Sequence, residues 1–275
     1  MATIDTHEAE PGPRGPTVLR PAIRTALPAR ATSRHARPAG WPRTRGGRVR
    51  RGGGPMSITP SRAGALAAGT RERVRRVLLA CGPLSALVYV VMHEVAALQW
   101  PGYSRIGNAI SELSLPGAPS RWVLEPWLGL AYNPLLVASG IGIWLSAGGR
   151  RAVHAIGALL ALSGVAAPLW VLFGSANLGA HLALSAVSVL AWLGAVGCGG
   201  AVAGRRFRLY SLVTLAVVLT FFGLAFGYAP AVAAGRPTPF MGLDERVAFA
   251  AFFLWQTVLT VLLWRRRGAV EPVGP

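Results

Sequence analysis

Apolar residues in this chain come in blocks rather than in alternation. Six stretches, 77–98, 127–147, 152–173, 181–203, 209–229 and 246–264, consist mostly of Ala, Val, Leu and Gly. Each is about twenty residues long, the length a helix needs to cross a hydrocarbon core of about 30 Å. Within the blocks the pattern has neither the period of two of a half-buried strand nor a wide polar stripe. The pattern predicts an all-α polytopic membrane protein built as a bundle of six transmembrane helices.

The polar joints between the blocks set an orientation. Arg71, Arg73, Arg75 and Arg76 precede the first span, and Arg150 and Arg151 separate the second from the third. Arg205, Arg206 and Arg208 separate the fourth from the fifth, and Arg265, Arg266 and Arg267 follow the sixth. With six spans all four clusters fall on one side, and the other joints hold only Arg105, Arg121, Arg236 and Arg246. The excess of basic residues in cytoplasmic loops then predicts cytoplasmic N- and C-termini, in a plasma membrane. Aromatic residues fall where the two interfaces would be: Trp100, Tyr103, Trp122, Trp127 and Tyr132 at the outer one, Trp144, Tyr210 and Trp264 at the inner one. Ala138 with Gly142 and Gly157 with Ala161 place small residues one turn apart, where helices can approach closely.

Composition adds a separate N-terminal region. The chain carries a net charge of +18 yet has a mean hydropathy of +0.45, so charge and apolarity occupy different parts of it. Residues 1–76 hold sixteen of the 28 basic residues, all of them Arg. Residues 1–71 are expected to be a disordered Arg/Pro/Gly-rich arm, residues 72–267 the membrane domain and residues 268–275 a short disordered tail. The arm lacks the interleaved aromatics and adjoining fold of a nucleic-acid binder, so no nucleic acid is expected as a partner. It also lacks the apolar core of a secretion signal. Translation starting at Met56 is one reading of this segment; a basic tail touching anionic lipid is another. Cys81 and Cys198 both lie inside predicted spans, which argues against a disulfide framework.

Polar chemistry gathers at the outer ends. Ionisable groups in or beside a span are costly and therefore informative. His93 and Glu94 lie near the outer end of span one, and Glu112 sits in the long connection Trp100–Glu125. Asn177 and His181 stand four residues apart, and Asp244, Glu245 and Arg246 open span six. An outward pocket built from Tyr103, Ser104, Ser111, Glu112, His181, Glu245 and Arg246 would follow. Each residue also has a structural account: Asp244 and Glu245 suit a helix N-terminus, Arg246 could pair with Glu112 or Glu94, and His181 could bond a carbonyl or Ser111. The middle of the spans offers Gln256, Ser163, Ser185, Ser188, Thr214 and Thr220 with no charge, which argues against an ion-coupled transporter. No zinc-protease, nucleophile-elbow, Walker or dinucleotide motif is present. His93, His181 and Glu112 or Glu245 would hold zinc only if folding gathered them, so neither a metal nor a cofactor is expected. Ser111, Glu112, His181 and Glu245 are the candidates for catalysis should the chain be a membrane-embedded hydrolase of a lipid or ester.

Two short blocks, Pro101-Gly102-Tyr103-Ser104 and Ile110-Ser111-Glu112-Leu113, resemble the first external loop of the bacterial membrane family called domain of unknown function 998. His181 and Gly242-Leu243-Asp244-Glu245-Arg246 match that family's histidine near span four and its Gly-x-x-Glu-Arg opening of the last span. The likeness covers roughly residues 72–266. It implies six spans and points to Ser111, Glu112, His181, Glu245 and Arg246 as the functional face, with no activity attached. A small or lipid-like ligand bound at that face is the leading expectation. The hydrolase is the alternative, and an assembly subunit whose polar groups only pair with one another is the third.

Overall fold

A computed structural model describes residues 62–173 and 178–266, with side chains described for 66–169, 179–180 and 183–266. Eight α-helices are present among the described residues: α1 (Arg62–Leu98), α2 (Arg121–Trp127), α3 (Asn133–Leu145), α4 (Arg151–Phe173), α5 (Leu178–Gly199), α6 (Arg205–Gly227), the short α7 (Ala229–Ala233) and α8 (Met241–Arg265). A 3-10 turn, Ile110–Ser114, lies in the long α1–α2 connection. α2 runs into α3 through a π-helical turn, Leu128–Tyr132, so that Arg121–Leu145 is one continuous rod. Residues 1–61 of the expected arm and the expected tail lie outside the described residues, while residues 62–71, expected to belong to the arm, form the first turns of α1.

Six rods therefore stand where six spans were predicted. Five of them, Leu66–Leu98, Arg121–Leu145, Arg151–Leu169, Arg205–Ala233 and Met241–Arg265, are long and apolar enough to cross a membrane. The remaining one contributes the shorter apolar helix Ala183–Gly199. The protein is a multi-pass membrane protein. The boundaries differ most at N-terminal ends: α1 begins at Arg62 rather than 77, and α8 at Met241 rather than 246. Arg71 to Arg76 thus continue the first helix instead of flanking it.

Lipid tails are as apolar as leucine, so close backbone approach has to hold such a bundle together. A Cβ on Gly140 would stand 2.6 Å from Gly157 O, and one on Gly157 would stand 2.6 Å from Gly140 O. The glycine pair brings α3 and α4 into backbone contact. Gly142 does the same towards α1, 2.8 Å from Leu78 C. Aromatic side chains fill the centre: Trp192 stacks on Phe252 with centroids 4.3 Å apart, and Tyr89 on Phe249 at 4.8 Å.

The arginine clusters converge at one end, where they cap helix C-termini. Arg75, only 5% exposed, holds Glu72 with both arms of its fork at 2.7 Å. The same guanidinium donates to Ser146 Oγ at the end of α3 and to Leu263 O at the end of α8. Arg150 reaches Ala147 O and Ser146 O, Arg208 reaches Gly200 O, and Arg266 reaches Val202 O. These bonds satisfy carbonyls that a helix terminus leaves without partners. Burial inside this cap lowers the pKa of Arg150 from its ordinary value, and the charge of Arg266 adds to the shift.

Candidate functional site: a cavity beneath the long connection

The other end is built around the Trp100–Glu125 connection. Ser104 and Asn108 fold its first half, with Ser104 Oγ accepting from Gly107 N and Asn108 Oδ1 from Ser104 N. Glu112 then closes the 3-10 turn: one carboxylate oxygen accepts from Ala109 N at 2.9 Å and the other from Asn108 Nδ2 at 2.8 Å. Leu113 is fully buried, and Ser120 Oγ donates to its carbonyl at 2.7 Å.

The N-terminus of α8 pins this loop through the loop's own backbone. Leu243 N donates to Ile106 O at 3.0 Å, and Thr238 Oγ1 donates to Gly107 O at 3.1 Å. Arg246 donates to Arg105 O at 2.7 Å and to Tyr103 Oη at 3.2 Å. Its guanidinium carbon stands 5.7 Å from the Tyr103 ring centre. Glu245 accepts from Ile110 N at 2.5 Å. Gly242 permits the approach, because a Cβ there would overlap Asn108 O and stand 2.8 Å from Arg105 O. The Gly-Leu-Asp-Glu-Arg run is therefore a clamp on residues 105–110. Arg246 does not pair with Glu112 or Glu94 as one account had it: Glu94 is held by Arg105 at 2.7 Å. Burial raises the Tyr103 phenol above its ordinary pKa of 10, and the Arg246 contact opposes that shift.

Beneath the clamped loop lies a cavity of about 270 Å³, near the lower end of small-molecule sites. Ser111, Glu112 and Glu245 line its polar rim, with His93 beside them. Phe222, Phe226, Phe249 and Val189 make apolar wall, and Trp192, Tyr132 and Asn133 complete the lining from α5 and the α2–α3 rod. The clamp residues Tyr103 and Arg246 and the loop residue Ser104 are not among the lining residues. The expected pocket thus divides into a clamp and a cavity. The side chain of His181, like Asn177, lies outside the described residues, so the Ser111–His181–Glu245 set is represented here by Ser111 and Glu245.

Several residues that line the cavity also carry buried polar atoms with no partner among the described residues. Tyr132 Oη, Asn133 Oδ1 and Trp192 Nε1 are buried without a hydrogen bond, and the three residues are 4%, 4% and 5% exposed. Burying such a group unpaired costs about 1–3 kcal/mol, and these three atoms lie behind the cavity surface rather than on it. His93 Nδ1 lies 2.7 Å from Tyr89 O. A carbonyl only accepts, so Nδ1 carries the proton and Nε2 is left without a partner among the described residues. Glu245 likewise has one oxygen on Ile110 N and the other unengaged among the described residues.

Backbone irregularity explains how Tyr132 and Asn133 come to this position. Pro134 has no N–H to continue the ladder, and Asn133 N instead donates to Leu128 O, five residues back. A π-turn of this kind rotates the residues that follow it, and such turns recur at functional sites. Tyr132, expected in the outer aromatic belt, is buried against the cavity because of it; Trp122 and Trp127 remain exposed, at 73% and 49%. Among the described residues, no three His, Cys, Asp or Glu side chains gather as metal ligands.

A family model described as Protein of unknown function (DUF998) matches residues 63–262. The chain belongs to this family. In this DUF998 protein the matched segment runs from the start of α1 to near the end of α8, so loop, clamp and cavity all fall inside it. No curated protein and no solved structure matches the chain.

Proposed function

We propose that this membrane protein binds a small or lipid-like ligand in the cavity beneath the Trp100–Glu125 connection. The observation that carries this reading is the aromatic-walled cavity, at whose rim the second carboxylate oxygen of Glu245 and Nε2 of His93 stand unengaged among the described residues. An assembly subunit would have such groups paired internally, and among the described residues these two are not. The clamp made by Gly242, Glu245 and Arg246 holds the roof in place, while Ser111, Glu112, Glu245 and His93 form the rim that meets the ligand's polar end. Arginine capping at the opposite end supports a cytoplasmic location for both termini, with the cavity opening outward in a bacterial plasma membrane.

The test is native mass spectrometry of the full chain, comparing wild type with Ser188→Trp, which fills the cavity from α5. Wild type is expected to carry a small amphiphile that the filled variant lacks, with far-UV circular dichroism unchanged. Wild type flying without any adduct, under conditions that preserve bound lipid in a control membrane protein, would count against the proposal.

A further inference from the structure

We infer that the cavity takes an amphiphile whose head is a primary or secondary ammonium, held between Glu245 on α8 and His93 on α1. The inference rests on the ligand-site reading above and adds the chemistry of the head group. Helix spacing sets the two side chains opposite each other. α1 and α8 run antiparallel: Arg75 near the start of α1 donates to Leu263 O at the end of α8, and Arg246 at the start of α8 reaches Arg105 O beyond the end of α1. The Tyr89 and Phe249 rings stack between them with centroids 4.8 Å apart. His93 follows Tyr89 by four residues and Glu245 precedes Phe249 by four, so both stand one turn, about 5.4 Å, closer to the roof. Both line the cavity, and both offer it an acceptor. His93 is only 6% exposed, and its Nε2 accepts because the Nδ1 proton goes to Tyr89 O. Glu245 holds Ile110 N with one oxygen and has no partner for the other among the described residues. In contrast to Tyr132 Oη, Asn133 Oδ1 and Trp192 Nε1, neither of these two acceptors is sealed off from the void.

A facing pair of acceptors selects a head group that only donates. An ammonium carries N–H donors and no lone pair, so it can meet the Glu245 carboxylate and His93 Nε2 together. A hydroxyl brings one hydrogen and serves one of the two. A phosphate or carboxylate would turn lone pairs towards lone pairs, in a cavity that no Arg or Lys lines among the described residues. It would lose its hydration there with no cation to replace it. Arg246 is the nearest guanidinium of the clamp, but it is committed to Arg105 O, Gly242 O and Tyr103 Oη. Among the described residues no ion pair engages Glu245. Glu112 adds a second negative charge at the roof, although the loop occupies both of its oxygens. A carboxylate facing a dry cavity without a cation is costly, and a cationic ligand supplies the charge that the chain leaves out. The wall of Phe222, Phe226 and Phe249 receives the hydrocarbon, and aromatic faces also accept a neighbouring cation.

The experiment uses the full chain in phosphatidylcholine nanodiscs at neutral pH and four probes that share a ten-carbon chain: decylamine, decyltrimethylammonium, decanol and decyl phosphate. Saturable binding is measured with empty nanodiscs subtracted, for wild type, Glu245→Gln and His93→Phe. Decylamine is expected to bind at least about tenfold tighter than each of the others. Glu245→Gln keeps an oxygen for Ile110 N and removes the charge, so the preference for decylamine over decanol should fall about tenfold. His93→Phe keeps a ring against Tyr89 and removes Nε2, and decylamine should weaken about threefold to tenfold. This second variant gives an independent reading should the first loosen the clamp. Decyltrimethylammonium binding as tightly as decylamine would overturn the head-group assignment, because that head has the charge but no N–H. Decanol or decyl phosphate matching decylamine, or a preference unchanged in both variants, would also overturn it and leave the ligand site standing. Saturable binding by none of the four would remove both.

Discussion

Replacing Gly242 with alanine tests whether the α8 N-terminus really clamps the loop that roofs the cavity. The added methyl group would overlap Asn108 O and press on Arg105 O at 2.8 Å, and both are backbone atoms that cannot rotate aside. Overpacking of this kind costs about 1–3 kcal/mol. Relief requires residues 105–108 to move off α8, which strains the Leu243 N–H bond to Ile106 O and the Arg246 contact to Arg105 O. Each such bond is worth about 1 kcal/mol, and somewhat more where a charge takes part. A local weakening of about 2–3 kcal/mol is therefore expected. At 1.4 kcal/mol per factor of ten, amide hydrogen exchange at Ile110 and Leu243 should accelerate about 30-fold to 150-fold. Gly223→Ala supplies the control, because Gly223 lies within α6 and nothing stands within 4 Å of its added Cβ. That change should be neutral or stabilising by up to about 1 kcal/mol from helix propensity alone. Equal exchange at Ile110 in wild type and Gly242→Ala would refute the clamp.

Arg75→Gln removes a buried fork that joins Glu72, Ser146 and Leu263 O, and thermal unfolding should show a loss of about 2–3 kcal/mol. The estimate sits below the full cost of breaking a buried pair because Glu72 retains 30% side-chain exposure and can be hydrated. Tyr103 holds its proton more tightly in the folded chain than in the unfolded one, so its contribution to stability is present below the ordinary phenol pKa of 10 and is lost as pH rises above it. A difference ultraviolet titration of wild type against Tyr103→Phe should show one phenol ionising above pH 10; ionisation at or below 10 would contradict its burial. For topology, single cysteines at Pro116 and Arg206 in a Cys81→Ser, Cys198→Ser background should react oppositely with an impermeant maleimide on intact cells. Pro116→Cys should label from outside and Arg206→Cys only after lysis, whereas the reverse result would invert the orientation.

Block length and arginine placement made the six rods legible, because a hydrocarbon slab imposes length on a helix and leaves little freedom in the joints. The resemblance likewise picked out Glu245 and Arg246, whose signal is a short run of special residue types at a helix start. Other features were invisible for a physical reason. Whether Arg246 meets a carboxylate or a carbonyl depends on loop backbone placed by tertiary contact, and no spacing along the chain encodes it. The close approach at Gly242 is a distance between segments more than 130 residues apart, as the Glu245–Ile110 bond is.

The cavity shows where the same limit falls on function. Tyr132 and Trp192 look like ordinary membrane aromatics, and Asn133 looks like the polar half of a proline kink. Their shared property, a polar atom buried without a partner among the described residues, exists only once the helices are packed together. A signal was nonetheless present in Asn133-Pro134: a residue with a hydrogen-bonding side chain placed just where proline withdraws a backbone donor. At that position the ladder has to change its step, and the π-turn at Leu128–Tyr132 is the result. Replacing Pro134 with alanine restores the missing N–H and allows the regular step to return. Tyr132 and Asn133 would then rotate and reshape the cavity wall they help to line, and the amphiphile carried by the wild-type chain in native mass spectrometry should be lost or reduced. Unchanged binding in Pro134→Ala would mean that the turn is held by packing against the loop and not by the proline, and the account of how this site is built would have to change accordingly.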